Sequence, residues 1–381
     1  MFRLIKTTKF DFMSQRKVSL TLSAIVVVAA IAILAVHGLN KGIEFTGGTT
    51  LQVKFVEAPD VAAIRGALSD VGLSGQQVTT IGEAAAHEVV IRLPATGDTS
   101  SDETQGLLAL DAVRDMLGVE NHPESDLNVV GSATLAAFVG SQDLADAILE
   151  RRKEKAIFSS FDELNDVPGM TAVALDSLKS GMELGPLSLR KRSYVGPAVG
   201  EQLVQKTLYA IVGSLVGMLL YIWIRFQLQW GFAAVVALAH DTLITLGLFS
   251  IFNQEMSLPV VAAFLTLVGY SVNDTVVVFD RIRENLRTRG SESIEVTVNQ
   301  SINQTLSRTI ITSGLTWVVV LALLVFGGAA LKPFAFVLSV GVVVGTYSSI
   351  YVASPFLVIW TEFLAKRRRA TATKVPARTA S

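Results

Sequence analysis

The 381-residue chain contains no cysteine. That excludes disulfide staples, thiolate metal sites and a cysteine nucleophile together. Histidine is nearly as scarce. The four residues, His37, His87, His122 and His240, lack the short spacings that bring imidazoles to one ion, so no metal centre is expected. Charged residues make up 17% of the chain and aromatics 8%. By contrast 50% is hydrophobic and the mean hydropathy is +0.49, more than a soluble domain needs for its core. The composition is that of an integral membrane protein.

Six stretches reach the roughly 20 apolar residues that a helix needs to span a bilayer. They are Val18 to His37, Thr207 to Ile224, Gly231 to Phe252, Leu258 to Phe279, Thr309 to Gly327 and Phe334 to Trp360. The first is read as an uncleaved anchor, because Ala35-Val-His37-Gly is a poor cleavage site and the run is too long for an ordinary signal peptide. The domain organisation expected is a cytoplasmic start over 1–17, a first span over 18–37, an external domain over 38–206, a bundle of five spans over 207–360 and a basic tail over 361–381.

Charge is segregated along the chain. Residues 38–206 carry a net charge of −10 and the remainder +9. Basic residues gather at the start (Arg3, Lys6, Lys9, Arg16, Lys17), after the fourth span (Arg281, Arg283, Arg287, Arg289) and at the end (Lys366 to Arg369). The positive-inside tendency puts all three clusters, and both termini, in the cytoplasm, which an even number of spans permits. The acidic block is then extracytoplasmic. Lys366 to Arg369 reads as an anchor for anionic lipid rather than a nucleic-acid patch.

The external block has its own pattern. Leu51-Gln-Val-Lys-Phe55 alternates as a half-buried strand, and Asp60 caps a helix with the stripe Val61, Ile64, Leu68 and Val71. Gln77 to Ile81 and Glu88 to Leu93 are further strands, Thr104 to Leu117 a helix, and Leu189 to Val195 the last strand. The order β-α-β-β-α-β is that of a ferredoxin-like α+β unit. Residues 125–185 exceed its needs, and their middle, Leu144 to Leu178, reads as two short helices around Pro168-Gly169. This insertion resembles helix-hairpin-helix modules, but it sits in an acidic block with Met170 where DNA binding would want glycine, so no nucleic acid is expected.

One carboxylate stands out. Asp274 lies in the apolar run from Leu258 to Phe279, where insertion costs roughly 2.5 to 3.5 kcal/mol. Asn273 is beside it, and Tyr270, Ser271 and Thr275 lie within a turn, a polar stripe that must face protein or water. Entering at Gly231, the third span carries His240-Asp241 about 15 Å deep, and Asp274 lies about 8 Å in from Phe279. Arg308 opens the fifth span in Ser307-Arg308-Thr-Ile-Ile-Thr-Ser313. On position alone Arg308 serves equally as a boundary arginine that snorkels, and Asp241 as an acceptor for neighbouring hydroxyls. Burial favours a protonated carboxyl and a guanidinium within about 4 to 6 Å favours an ionised one, so movement of Arg308 would set the charge on Asp274. Gly213-Ser-Leu-Val-Gly217 and Gly341-Val-Val-Val-Gly345 read as packing faces, and Thr346, Ser348, Ser349 and Ser354 before Pro355 soften the last span.

Taken together, Gly42-Ile-Glu-Phe-Thr-Gly-Gly-Thr49, Val195-Gly-Pro-Ala-Val-Gly200, His240-Asp241, Val268-Gly-Tyr-Ser-Val-Asn-Asp-Thr275, Asp280-Arg-Ile-Arg-Glu-Asn285 and Arg308-Thr-Ile-Ile-Thr-Ser313 resemble the SecD/SecF family of protein-export membrane proteins, on its SecF side. The resemblance covers nearly the whole chain apart from 125–185 and the tail. It implies membership of the RND superfamily, a six-helix bundle forming half of an RND-type membrane domain, and residence in the bacterial inner membrane. It implies SecD and the SecYEG channel as partners, with YajC a further candidate and a translocating preprotein as substrate. No cofactor is implied, the proton gradient supplying the energy, and the chain is read as a transport subunit rather than an enzyme. The family's proton-pathway aspartate falls on Asp274, its membrane arginine on Arg308 and its His-Asp pair on His240 and Asp241. Glu44 stands where the family often has Asp. Two other classes compete with this reading. A proton-driven small-molecule efflux pump of the RND type would normally carry two such halves in one chain, and a DNA-presenting anchor would need no carboxylate in its fourth span.

Overall fold

A computed structural model describes residues 8–81, 87–95, 99–119, 125–225, 228–288 and 292–372. The expected tail beyond Ala372 and the first seven residues lie outside it. The chain divides into two compact units, Gly42–Val204 and the two flanking segments together.

In chain order the helices are α1 (Arg16–His37), α2 (Ile43–Thr46), α3 (Val61–Asp70), α4 (Thr99–Met116), α5 (Ser132–Val139), α6 (Gln142–Lys155), α7 (Ala172–Gly181), α8 (Pro197–Arg225), α9 (Leu228–Ile251), α10 (Leu258–Thr288), α11 (Ile294–Phe326), α12 (Gly328–Ser348) and α13 (Ser354–Ala372). A π-helical segment, Ser349–Ala353, joins the last two into one span. The strands are β1 (Asn40–Lys41), β2 (Gly48–Phe55), β3 (Gln77–Ile81), β4 (Glu88–Pro94), β5 (Leu187–Val195) and β6 (Glu255–Met256).

The unit from Gly42 to Val204 is built on a four-stranded antiparallel sheet in the order β3-β4-β2-β5. Alternation in β2 buries Leu51, Val53 and Phe55 on one face, where they meet Ile64 and Leu68 of α3 and Ala109, Leu110 and Val113 of α4. Asp60 caps α3 by accepting from the backbone of Ala62 and Ala63 at 2.8 and 3.2 Å. Val71, expected in the buried stripe, lies just past the last turn of α3 and is exposed, because the helix ends one residue before it. Gly48 has φ of +124°, and a Cβ there would stand 2.2 Å from the Leu93 carbonyl, so only glycine fits at the start of β2.

The two short helices read on either side of Pro168-Gly169 are present as α6 and α7, and the insertion holds one helix more. It holds α5, α6, a 3₁₀ turn over Phe161–Leu164 and α7. Its apolar positions, Leu127, Leu135, Ile148, Phe158, Leu164 and Leu178, close into a core of their own. Alanine-rich α5 gives little signal in the sequence because its pattern is short and weakly amphipathic. Ser160 and Glu163 form a capping box on the 3₁₀ turn, and Thr171 caps α7 after the Pro168-Gly169 turn. Buried polar groups tie this core to the sheet. Arg114 of α4 meets Asp126 at 3.2 Å, Asp126 Oδ1 accepts from the backbone N–H of Asn128 and Gly185, and Asn128 donates to the carbonyls of Phe158 and Gly185.

Among the described residues six helices are long and apolar enough to cross a membrane. Close backbone approach sets their packing. A Cβ at Gly247 would lie 2.6 Å from that of Ala30, where α9 crosses α1, and one at Gly341 would lie 2.3 Å from Leu267 of α10. Gly345 faces Ser271, so the second glycine pair packs on α10. Among the described residues nothing lies within 4 Å of a Cβ placed on Gly213 or Gly217 of α8, and the most apolar stretch of that helix is unburied, although Ile222 at its end enters the bundle core. Gly247→Leu should therefore lower stability by about 1 to 3 kcal/mol through overpacking, while Gly213→Leu stays within about 0.5 kcal/mol. Thermal unfolding of the purified variants in detergent reads the contrast.

The N-terminal segment is strapped to α11. Asn303 accepts from Thr8 Oγ1 and Phe10 N–H and donates to the Phe10 carbonyl, and Asn299 accepts from Phe12 N–H. Phe12 and Met13 enter the bundle core beside Phe279 and Ile302. Arg16 pairs with Glu295 and Glu362 at 3.3 and 3.5 Å.

Candidate functional site in the membrane helices

Asp274 sits midway along α10 and is 3% exposed. Ser313 of α11 donates its hydroxyl to Asp274 Oδ2 at 2.9 Å. Nearby threonines of α11 turn their hydroxyls back on their own helix, Thr305 to Ser301, Thr312 to Arg308 and Thr316 to Thr312. Ser313 instead reaches across to α10. A hydroxyl donor partly offsets the desolvation cost of a buried carboxyl, which a Val at 313 would leave unmet.

Arg308 is exposed on α11, and among the described residues its guanidinium makes no ion pair. Its charge still acts on Asp274 through space. The immediate partner of Asp274 is thus a hydroxyl, not the guanidinium. Asn273 also points out of the chain, while Thr275 is buried and back-bonds to the Ser271 carbonyl at 3.2 Å. The Tyr270 hydroxyl is buried with no hydrogen-bond partner among the described residues. The polar stripe read around Asp274 is therefore split, with Asp274 and Thr275 turned inward and Asn273 outward. The cause is the turn of about 100° per residue of a helix.

Asp241 occupies a second place. It is 0% exposed and takes three hydrogen bonds: His240 Nδ1 on Oδ1 at 2.8 Å, and the hydroxyls of Ser271 and Ser348 on Oδ2 at 2.5 and 2.7 Å. With a carboxylate as acceptor, Nδ1 must be the protonated nitrogen of His240. His240 Nε2 is buried with no hydrogen-bond partner among the described residues, and the ring stacks on Tyr347 with centroids 6.2 Å apart. Tyr347 in turn stacks on Tyr351 at 5.1 Å and lies 3.2 Å by its hydroxyl from Ser23 of α1.

Ser271 and Asp274 are three residues apart on α10, a rise of about 4.5 Å. The helix thus carries two contacts one above the other, Asp241 with Ser271 and Asp274 with Ser313. Among the described residues no hydrogen bond joins the carboxylates directly. Asp274 and Arg308 share the α10–α11 side, and Asp241 with His240 forms a separate cluster at α9, α10 and the end of α12. Sequence reasoning missed Ser313 and Ser348 as carboxylate partners. Hydroxyls in an apolar helix are the available signal, but most of them here satisfy only their own backbone.

Comparison with known proteins bears on what such a bundle is. The description "Protein export membrane protein SecD/SecF, C-terminal" matches residues 177–363, and "SecD/SecF GG Motif" matches residues 32–58, which contain Gly47 and Gly48. A protein translocase subunit SecF from Koribacter versatilis is 41% identical over 96% of this chain and 95% of its own length. The SecF subunit from Desulfurispirillum indicum is 39% identical over 92% and 91%. Among solved structures, SecDF from Thermus thermophilus, described as a translocon-associated membrane protein, superposes with a TM-score of 0.67 at 29% identity over 93% of this chain. SecDF in its super-membrane-facing form gives 0.57 at 30% identity over 97% of this chain. This chain spans 39% and 41% of those two chains. Motifs, six spans, and relatives that match it nearly end to end agree: the chain belongs to the SecF family of protein translocase subunits.

Proposed function

We propose that this SecF-family chain pairs with SecD and uses the proton gradient to assist preprotein translocation through SecYEG across the bacterial inner membrane. Asp274 carries the reading. A carboxyl buried in a membrane helix, held by one hydroxyl and within reach of the field of Arg308, can exchange a proton with modest rearrangement. Tyr270 and Thr275 support it from α10, Asp241 and His240 from the neighbouring α9, and Asn273 faces outward beside it. The βαββαβ unit is assigned as ferredoxin-like and extracytoplasmic, both termini as cytoplasmic, and YajC as an accessory partner. The energy input is the proton gradient alone, with no cofactor and no catalysed covalent step. Exposed faces of α8 and α11 support a helical partner, since Tyr209, Leu219, Ile224, Leu315 and Val319 are left uncovered by the described residues of this chain.

A tagged chain expressed in cells lacking the native protein should bring down SecD and SecYEG in mild detergent. Recovery of the folded chain with neither would overturn the assignment of partners.

A further inference from the structure

Buried hydroxyls recur at every fourth residue along α11. Ser301, Thr305, Thr309 and Ser313 are 0%, 9%, 2% and 5% exposed. At this spacing they share one face of the helix, and the bond from Ser313 shows that face to be the one turned to Asp274. Ser301 and Thr305 donate to carbonyls of their own helix at 2.7 and 3.1 Å, and Ser313 donates to the carboxylate at 2.9 Å. Thr309 is the exception: its Oγ1 is buried with no hydrogen-bond partner among the described residues. We propose that Thr309 is the positioning residue that seats a water molecule beside Ser313, and that Asp274 exchanges its proton through this water toward the loop between α10 and α11. The inference rests on the proton-driven reading above and names the side chain that serves it.

Spacing makes the argument. Residues four apart on a helix are separated by about 6 Å along its axis, roughly twice the reach of an O–H···O hydrogen bond of about 2.8 Å. Thr309 and Ser313 therefore cannot bond each other, whereas one water between them meets both. A threonine with only a structural part to play turns its hydroxyl back on its own helix, as Thr312 does to the Arg308 carbonyl and Thr316 to that of Thr312. Thr309 leaves its hydroxyl on the face of Asp274 instead. Proton uptake is then a hand-over. The Ser313 O–H proton moves to Asp274 Oδ2, the serine oxygen takes a proton from the water, and the water is reprotonated from the loop side. Each oxygen that loses a proton gains one, and release is the reverse.

Helix α10 offers no alternative on this line. One and two turns from Asp274 toward the loop stand Val278 and Ile282, both buried in the bundle core. Beyond Thr275, whose hydroxyl is bonded to the Ser271 carbonyl, the next buried polar side chain of α10 is Asn285, and it meets the hydroxyl column. Asn285 Nδ2 donates to Ser301 Oγ at 2.8 Å and to Gln304 Oε1 at 2.9 Å, and Gln304 is exposed. The column thus runs from a solvent-facing amide to Ser313 along about 18 Å of helix. None of the buried residues on these stretches of α10 and α11 beyond Asp274 is charged, so nothing along the column competes with Asp274 for the proton. Arg308, next to Thr309 in the chain, is exposed and lies off this face.

Infrared spectroscopy of the full chain, purified into nanodiscs with no gradient imposed, reads the exchange directly. The carboxyl C=O band that Asp274→Asn removes is followed after transfer into deuterium oxide, and the time course of its isotope shift is compared among variants. Thr309→Val, which keeps the shape and loses the hydroxyl, should slow the shift about tenfold, the scale of one net hydrogen bond to the water. Thr309→Ser, which keeps the hydroxyl, should exchange as wild type does. Thr312→Val, on the exposed side of the same helix, should also match wild type. A shift in Thr309→Val as fast as wild type overturns the proposal, as does an equal slowing in Thr312→Val or in Thr309→Ser, which would mark a packing effect. Should Thr309→Val not fold, Thr309→Cys, whose thiol is a weak acceptor, takes its place under the same criteria. A wild-type spectrum with no band that Asp274→Asn removes would overturn the reading of Asp274 and this proposal with it, whereas a band that Thr309→Val leaves unslowed overturns this proposal alone.

Discussion

An Asp274→Asn chain is expected to lose the part of preprotein export that depends on the proton gradient, while folding and joining its complex as wild type does. The amide has the shape of the carboxyl and can still accept from Ser313, so packing between α10 and α11 survives. What it cannot do is take up and release a proton. One charge moved through 100 mV is worth about 2.3 kcal/mol, which corresponds to about 50-fold in a rate or a population. The gradient-dependent stimulation should therefore collapse toward the rate seen with an uncoupler present. Arg308→Ala should reduce stimulation less, because its guanidinium makes no ion pair among the described residues and acts on Asp274 only through space. Secretion of a reporter into inverted vesicles, with and without an imposed gradient, decides the matter. Full gradient-dependent export by Asp274→Asn sinks the proton-coupling assignment.

Asp126→Ala should destabilise the unit Gly42–Val204 by about 3 to 5 kcal/mol, the usual cost of breaking one side of a buried ion pair. Asp126 and Arg114 are 2% and 3% exposed, and the alanine would take the buried carboxylate away from the arginine and leave the N–H groups of Asn128 and Gly185 without their acceptor. Space is no remedy. Gly185 lies so close that a Cβ on it would overlap Asp126 Oδ2. The pH dependence has a definite sign. Burial is the largest influence on Asp126 and pushes its carboxyl above the ordinary 3.8, against the pull of the two N–H donors and of Arg114 and Arg152. The folded state then holds this proton more tightly than the unfolded state does. Stability from this group is fully present below pH 3.8 and is lost as pH rises through the folded value. Asp126→Asn keeps the acceptor for both N–H groups and should cost less than alanine, while flattening the unit's stability in that window. Limited proteolysis of the full chain over a pH series reads both effects. An Asp126→Ala chain as resistant as wild type would show that the insertion is not held by this joint.

The range of each interaction governs how much of this is legible in the sequence. The Asp60 cap, the alternation of β2 and the six apolar runs are patterns over one or two turns, and each stands in the structure close to where periodicity puts it. The burial of Val71 differs from expectation, and α5 carries no readable pattern of its own, because short segments end or begin according to what they pack against. The same holds for the candidate site. Asp274 declares itself through the cost of a carboxylate in an apolar run, with no knowledge of its neighbours. Its hydroxyl partner lies 39 residues away, and the partner of Asp241 on α12 lies 107 residues away.

The sequence by itself therefore determined the class of protein, its spans, the asymmetry of charge and the identity of the costly carboxylates, because hydrophobicity, charge and local periodicity are properties of the residues in order. Only the tertiary structure decided that Asp241 and Asp274 answer to different helices, that Arg308 and Asn273 turn outward, and that Ser348 ties a carboxylate to a π-helical turn. Those outcomes depend on which ridges of one helix settle against another, at glycines such as Gly247 and Gly341 where backbones come close enough to fix the rotation of each helix.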